Sequence, residues 1–162
     1  MKPSNARLKE LLEYNATTGV FTHRTGRRNC KAGQMAGCKH GNGYLKISID
    51  GKQYYAHHVA WAYANGEWPS NDIDHINGDR SDNRLVNIRL ALRKENCQNL
   101  RAAKSNSQTG FLGVYLVKET GKFMASLKKG RKRIRVGGFE TPEKAHQCYL
   151  EMKRNFHAFC TI

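Results

Sequence analysis

Acidic residues are scarce in this 162-residue chain. Its 13 Asp and Glu stand against 28 Lys and Arg, a formal net charge of +15, and an excess of that size points to a polyanionic partner. Long apolar runs are missing too. None approaches the roughly 20 residues that a membrane span needs, and no signal-like apolar segment opens the chain, so a cytoplasmic protein with no membrane partner is expected. The five cysteines (Cys30, Cys38, Cys97, Cys148, Cys160) are odd in number and include no C-x-x-C pair, which argues against a disulfide framework and a zinc knuckle. Cys30, Cys38 and His40 could ligate a metal, but a fourth ligand is missing and plain thiols are expected. No stacked pair of exposed aromatics marks a single-strand platform, which disfavours RNA as the partner.

A chain of this length holds one ordinary domain or two small ones. Charge is spread over it: residues 101–162 hold 13 Lys and Arg against 4 Asp and Glu, so both halves can meet phosphate. Residues 5–14 carry Leu8, Leu11 and Leu12 at helical spacing, then a Thr17-Thr18-Gly19 turn, which predicts a short amphipathic helix. Between Gly26 and Gly33 the basic cluster Arg27, Arg28 and Lys31, with Arg24 just before it, suits either a phosphate backbone or a solvated loop. From Tyr44 to Tyr55 the alternation of Leu45, Ile47 and Ile49 with Lys46 and Ser48, broken at Asp50-Gly51, predicts a hairpin. Ala56 to Ala64 predicts a helix stopped at Asn65-Gly66, with His57 in a packing or hydrogen-bonding role.

Asp74 to Asn96 is the stretch richest in chemistry. Asp74-His75 stands at the end of a short apolar strand and is followed by an Asn77-Gly78-Asp79 turn. A second strand, Asn87 to Leu90, leads into a predicted helix from Ala91 to about Asn99, with Arg93, Asn96 and Asn99 on one face. Two strands and a helix would converge on one patch. Asp74 offers a hard anionic oxygen and Asn96 a carbonyl oxygen, a sparse pair that suits a divalent cation retaining waters and taking oxygens from a phosphate. Asn99 replaces Asn96 if the helix register differs by a turn. His75, on the opposite side of the strand from Asp74, is left to take a proton from water.

Asp74-His75, the Asn77-Gly78 turn, Asp82-Asn83-Arg84, Asn87 and the Arg93 to Asn99 segment resemble the HNH (ββα-metal) endonucleases, in particular the phage and intron-encoded homing group. The resemblance implies that Asp74 and Asn96 hold one divalent ion, Mg²⁺ or Mn²⁺. It makes His75 the general base, with Asn87 orienting its imidazole and Arg93 lying against the scissile phosphate. The expected products carry 5′-phosphate and 3′-hydroxyl ends, and the setting would be phage-encoded or the cytosol of a bacterial host. The chain departs from the commonest pattern in having Asn96, not His, at the last metal position, which leaves fewer strong ligands.

Leu100 to Thr109 loses apolar periodicity, so a linker is placed there, between a domain at residues 1–99 and another at 110–162. Three short strands are predicted in the second, at Gly113–Lys118, Lys122–Lys128 and Arg131–Gly137, and then a helix capped by Thr141 with Pro142 at its first position. Ala145, Cys148, Tyr149, Met152 and Phe156 form its buried stripe. Arg131, Arg133 and Arg135 project opposite Ile134 and Val136, with Tyr115, Lys118, Lys122 and Lys128 nearby, a face suited to a major groove. Residues 110–157 resemble the plant ethylene-response-factor (Apetala-type) DNA-binding domain, departing from it at Tyr115 and Phe123, where plant members often carry Trp. The expectation is therefore an α+β protein, a metal-dependent endonuclease acting on double-stranded DNA with no small-molecule substrate. A non-catalytic DNA-binding regulator is the alternative.

Overall fold

The computed structural model describes residues 1–26, 30–100, 102–103, 105–158 and 160, without the side chains of Lys94 and Cys97. Arg27 and Arg28 of the basic cluster therefore lie outside the described residues. The fold is α+β, with helices and antiparallel sheets in two compact units, Met1–Asn96 and Cys97–Ile162.

The first unit opens with α1 (Asn5–Leu11), capped by the Ser4 hydroxyl accepting from Arg7 N–H, the usual way to satisfy a free first-turn donor. The sequence predicts helix to residue 14, but the chain leaves it at Leu12. Residues Leu12–Asn15 form β1 and pair with β2 (Val20–His23). The cross-strand contact of Tyr14 with Phe21, rings stacked 4.5 Å apart, and the Tyr14 hydroxyl's 2.7 Å bond to Asn83 O are long-range rewards that local helical periodicity cannot match. The short β3 (Cys38–Lys39) joins β4 (Leu45–Ile49), which forms the expected hairpin with β5 (Lys52–Tyr55). Its turn has both central residues in the left-handed region, Asp50 at φ 48° and Gly51 at φ 78°, matching the twist of the strands it joins.

Then α2 (Ala56–Asn65) buries Val59, Ala60 and Ala62 and ends on Gly66 at φ 84°, whose left-handed backbone closes the helix. Leu8, Leu12, Phe21, Ile47, Val59 and Ile73 form the core beneath it. On that core sits the two-stranded sheet of β6 (Asp72–His75) and β7 (Ile88–Ala91). The predicted second strand is thus displaced by one residue, because Asn87 belongs to a 3-10 turn and Ala91 pairs with Asp72. The helix that follows, α3 (Arg93–Asn96), is shorter than the 91–99 span predicted and passes into a 3-10 turn at Cys97–Asn99. Sheet pairing takes Ala91, and the Glu95 carboxylate turns back to accept from Leu92 N–H at 2.7 Å, half of a capping box, so the helix starts at Arg93.

In the second unit β8 (Val114–Val117), β9 (Lys122–Lys129) and β10 (Lys132–Phe139) form an antiparallel sheet in the order β10-β9-β8, and α4 (Pro142–Phe156) packs on one face. Thr141 caps α4, with Pro142 at its start. Tyr149 and Met152 are buried against Ala125 and Leu127, and Ala145 is buried as well. Phe156, predicted on that stripe, is exposed beneath the Lys129 ammonium, while Lys153 is buried and donates to Leu100 O. Gly113, at φ 74°, lies against the Tyr149 ring so closely that a Cβ would overlap it. Residues 97–109, read from sequence as helix end and linker, count with this unit.

Candidate active site

The register of β6 against β7 decides which side chains meet. Asp74 stands opposite Arg89 and His75 opposite Ile88. Arg89 Nε and Nη2 both donate to Asp74 Oδ2, at 3.0 and 2.8 Å. The Asp74 side chain is 5% exposed and that of Arg89 26%, so a buried carboxylate is held by a cation reaching it from the rim. Burying an isolated carboxylate is costly, and the guanidinium offsets that cost.

His75 is buried in a group of rings. The His57 imidazole meets it edge-on at 4.9 Å and Tyr44 lies 5.9 Å away. His57 stacks on Tyr55 at 5.4 Å and touches His58 at 4.5 Å, and Arg80 covers the outer face of Tyr44 at 5.0 Å. Burial pushes the His75 pKa below its ordinary value, opposed by Asn83 and by the charges of Asp74, Asp79 and Asp82. The same desolvation takes His57 down to about 2 and lowers His58. His75 is therefore a neutral imidazole at pH 7, the form able to accept a proton. His57, expected to pack or to hydrogen-bond, lies among these rings.

The loop from Ile76 to Asn87 is fixed by its own polar groups. Asn77 Oδ1 accepts from Asp79 N–H and Asp79 Oδ1 from Ser81 N–H, both at 2.8 Å. Asp82 pairs with Arg84 at 2.6 Å, which takes its carboxyl down to about 2. Asn87 is the clamp across the loop: its Oδ1 accepts from Asn77 N–H at 2.9 Å and its Nδ2 donates to Asp82 O at 2.8 Å. Both ends of its amide are thus bonded to backbone, which ties together the loop that follows His75. The nearby Asn83 carboxamide favours the protonated imidazole of His75, against the larger effect of burial.

Asn83 is 1% exposed and held from three directions. Its Nδ2 donates to Ser81 O at 2.9 Å, and its carbonyl accepts from the Tyr14 hydroxyl. Gly19 approaches its backbone so closely that a Cβ there would lie 2.8 Å from Asn83 C. Neither Asn83 nor Arg89 is assigned a role from sequence. The proximity of Asn83 to His75 depends on a loop closure, and that of Arg89 to Asp74 on strand register, and neither leaves a periodic signal.

At the other edge α3 packs against β6 and β7. Asn96 is half-buried and Arg93 is exposed, beside a shallow hollow lined by Ser70, Asn71 and Asp72. Asn99, the alternative to Asn96, is buried and belongs to the second unit. Among the described residues no three His, Cys, Asp or Glu side chains stand together as a metal cage. The donor chemistry of Asp74 and Asn96, one carboxylate and one carboxamide oxygen, fits a hard divalent cation that keeps most of its waters or shares phosphate oxygens.

In the second unit, pairing puts Lys122, Lys128, Arg133 and Arg135 on one side of the sheet, while Lys129 and Lys132 fall on the other. Ile134 lies opposite Leu127, and Val136 and Val114 opposite Ala125, on the α4 side. The open face carries Tyr115 across from Met124, Lys122 across from Val117, Arg133 across from Lys128, and Arg135 across from Ser126. Arg131 is not on the strand as predicted, since Gly130 and Arg131 form the two-residue turn before β10. Gly130, at φ 61°, lets that tight turn form. Lys118 likewise lies in the turn after β8.

Residues 54–98, which carry α2, β6, the clamped loop, β7 and α3, match the HNH endonuclease family. The chain is similar to Protein 3.8 of Escherichia phage T7, with 42% identity over 73 residues, covering 42% of this chain and 60% of that protein. It thus spans about 60% of the length of that relative. No solved structure matches the chain.

Proposed function

We propose that the chain is a metal-dependent endonuclease that hydrolyses phosphodiester bonds in double-stranded DNA, with its chemistry in residues 54–98 and a DNA-binding surface in the second unit. The observation that carries this reading is the neutral, buried His75 placed next to a paired carboxylate on a two-stranded sheet, inside the segment that matches the HNH endonuclease family. His75 takes the proton of the attacking water, and Asn83 and the ring group fix the imidazole. Asn87 holds the loop between the strands closed. Arg93, which is exposed, would meet the phosphate.

Asp74 and Asn96 would hold one Mg²⁺ or Mn²⁺, which supplies Lewis-acid stabilisation of charge on the phosphate and on the departing 3′ oxygen. The open sheet face, with Tyr115, Lys122, Lys128, Arg133 and Arg135 and with Lys118 and Arg131 in its flanking turns, is read as the part that grips duplex DNA. The likeness of residues 110–157 to ethylene-response-factor domains and the homing role belong to the same proposal. Phosphate contacts position a protein and base edges specify its site, so sequence preference is assigned to this second surface.

The Arg89–Asp74 ion pair favours one competing reading, a DNA-binding regulator in which Asp74 is purely structural. Incubation of supercoiled plasmid with and without Mg²⁺ or Mn²⁺ separates the two. The nuclease reading expects metal-dependent nicked or linear product that His75→Ala abolishes while DNA binding survives. If the native protein binds DNA and never cuts it, the regulator is correct.

A further inference from the structure

The geometry points to Arg89 as a displaceable counter-cation, one that occupies Asp74 until a metal ion and a phosphodiester arrive together. This inference rests on the nuclease reading and names how its metal site is filled. Both donors of the guanidinium that reach Asp74 converge on the single oxygen Oδ2, the atom type a divalent ion would bind. The pair straddles β6 and β7 directly in register, so Arg89 reaches Asp74 without any backbone movement. The Asp74 side chain is almost wholly buried while a quarter of the Arg89 side chain meets solvent.

Three consequences follow from charge alone. A buried carboxylate without a cation is costly, so the site stays paired when no metal is bound. A divalent ion at the Asp74 oxygens and a guanidinium at 2.8 Å from the same carboxylate repel one another, so the ion binds at the expense of the pair. A guanidinium displaced from Asp74 at the partly exposed rim suits a phosphodiester, which accepts its planar donors well. Metal affinity is therefore low in the free protein and rises when DNA is present. Arg89 is a positioning residue in the free protein and a phosphate contact in the complex.

The test is Mn²⁺ binding, followed by the electron paramagnetic resonance signal of the free ion, in a His75→Ala background that prevents turnover, with and without a short duplex. Because apparent affinity scales with the fraction of sites that are open, a pair closed nine-tenths of the time predicts about tenfold tighter Mn²⁺ binding in Arg89→Met than in the parent without DNA. The tightening that DNA produces in the parent should shrink in that variant. Arg89→Lys, which keeps a counter-charge for Asp74 and gives up the two-donor grip, should show a smaller gain of the same sign and covers the case in which Arg89→Met fails to fold. Mn²⁺ affinity that is unchanged or weaker in the folded variants overturns the inference. If the native protein cuts DNA and these variants gain no affinity, only this inference falls. If the native protein neither cuts DNA nor binds Mn²⁺, the nuclease reading falls and takes this one with it.

Discussion

Lowering the pH should loosen the first unit through His57, by an amount that one substitution isolates. His57 is 4% exposed, and burial among rings, with a smaller contribution from His58 and His75, takes its pKa down to about 2. An unfolded chain returns it to about 6.5. Because the folded value is the lower one, the unfolded chain binds the extra proton below pH 6.5 and the native chain refuses it. The stabilisation is therefore complete above about pH 6.5 and is lost as pH falls from there toward 2. One pH unit below 6.5 the loss is about 1.4 kcal/mol, and two units below it is about 2.7 kcal/mol. Both tryptophans, Trp61 and Trp68, lie in this unit, so their fluorescence during urea unfolding reports on it. Unfolding free energies at pH 7.5 and 5.5 should fall by about 1.4 kcal/mol more in the native protein than in His57→Phe. Comparing the two falls removes any constant effect of the substitution, along with the carboxylates and other histidines. Equal falls in both proteins would refute the assignment of a buried neutral imidazole at position 57.

Other consequences can be checked as directly. Asn87→Ala removes both loop-spanning hydrogen bonds and should cost about 2 kcal/mol, with faster amide exchange confined to residues 76–87; unchanged exchange there would remove its clamping role. Gly113→Ala forces a methyl into the Tyr149 ring at a positive φ and should destabilise the second unit by about 2–4 kcal/mol, seen as hydrogen exchange rising in residues 113–157 but not in residues 1–96. Arg133→Ala and Arg135→Ala should each lower the slope of log DNA affinity against log salt by about 0.9; an unaltered slope would take the open sheet face out of the interface. Plasmid cleavage by Asn83→Ala should fall with KM nearly unchanged, because Asn83 acts through His75, and a drop confined to KM would contradict that role.

Much of this fold is local enough to be read directly. The hairpin at Asp50-Gly51, the α2 stop at Gly66 and the Thr141-Pro142 start of α4 follow from residues whose backbone preferences act at their own positions. Charge composition alone points to a polyanion, and the ordered set Asp74, His75, Asn87 and Asn96 marks where the chemistry would lie. The alternation of Arg133 and Arg135 with Ile134 and Val136 survives intact, since side-chain parity along a strand does not depend on where the strand begins.

What only the tertiary structure decided are the contacts made between segments. Strand register set Arg89 on Asp74, loop closure brought Asn83 near His75, and pairing of Ala91 with Asp72 shortened the helix that holds Asn96. The early end of α1 has the same origin, in the contact of Tyr14 with Phe21. The physical reason is one of range. A turn or a cap is fixed by neighbours a few residues away, whereas a buried carboxylate or imidazole takes whichever partner the folded chain delivers, and that partner's distance in sequence carries no period to read.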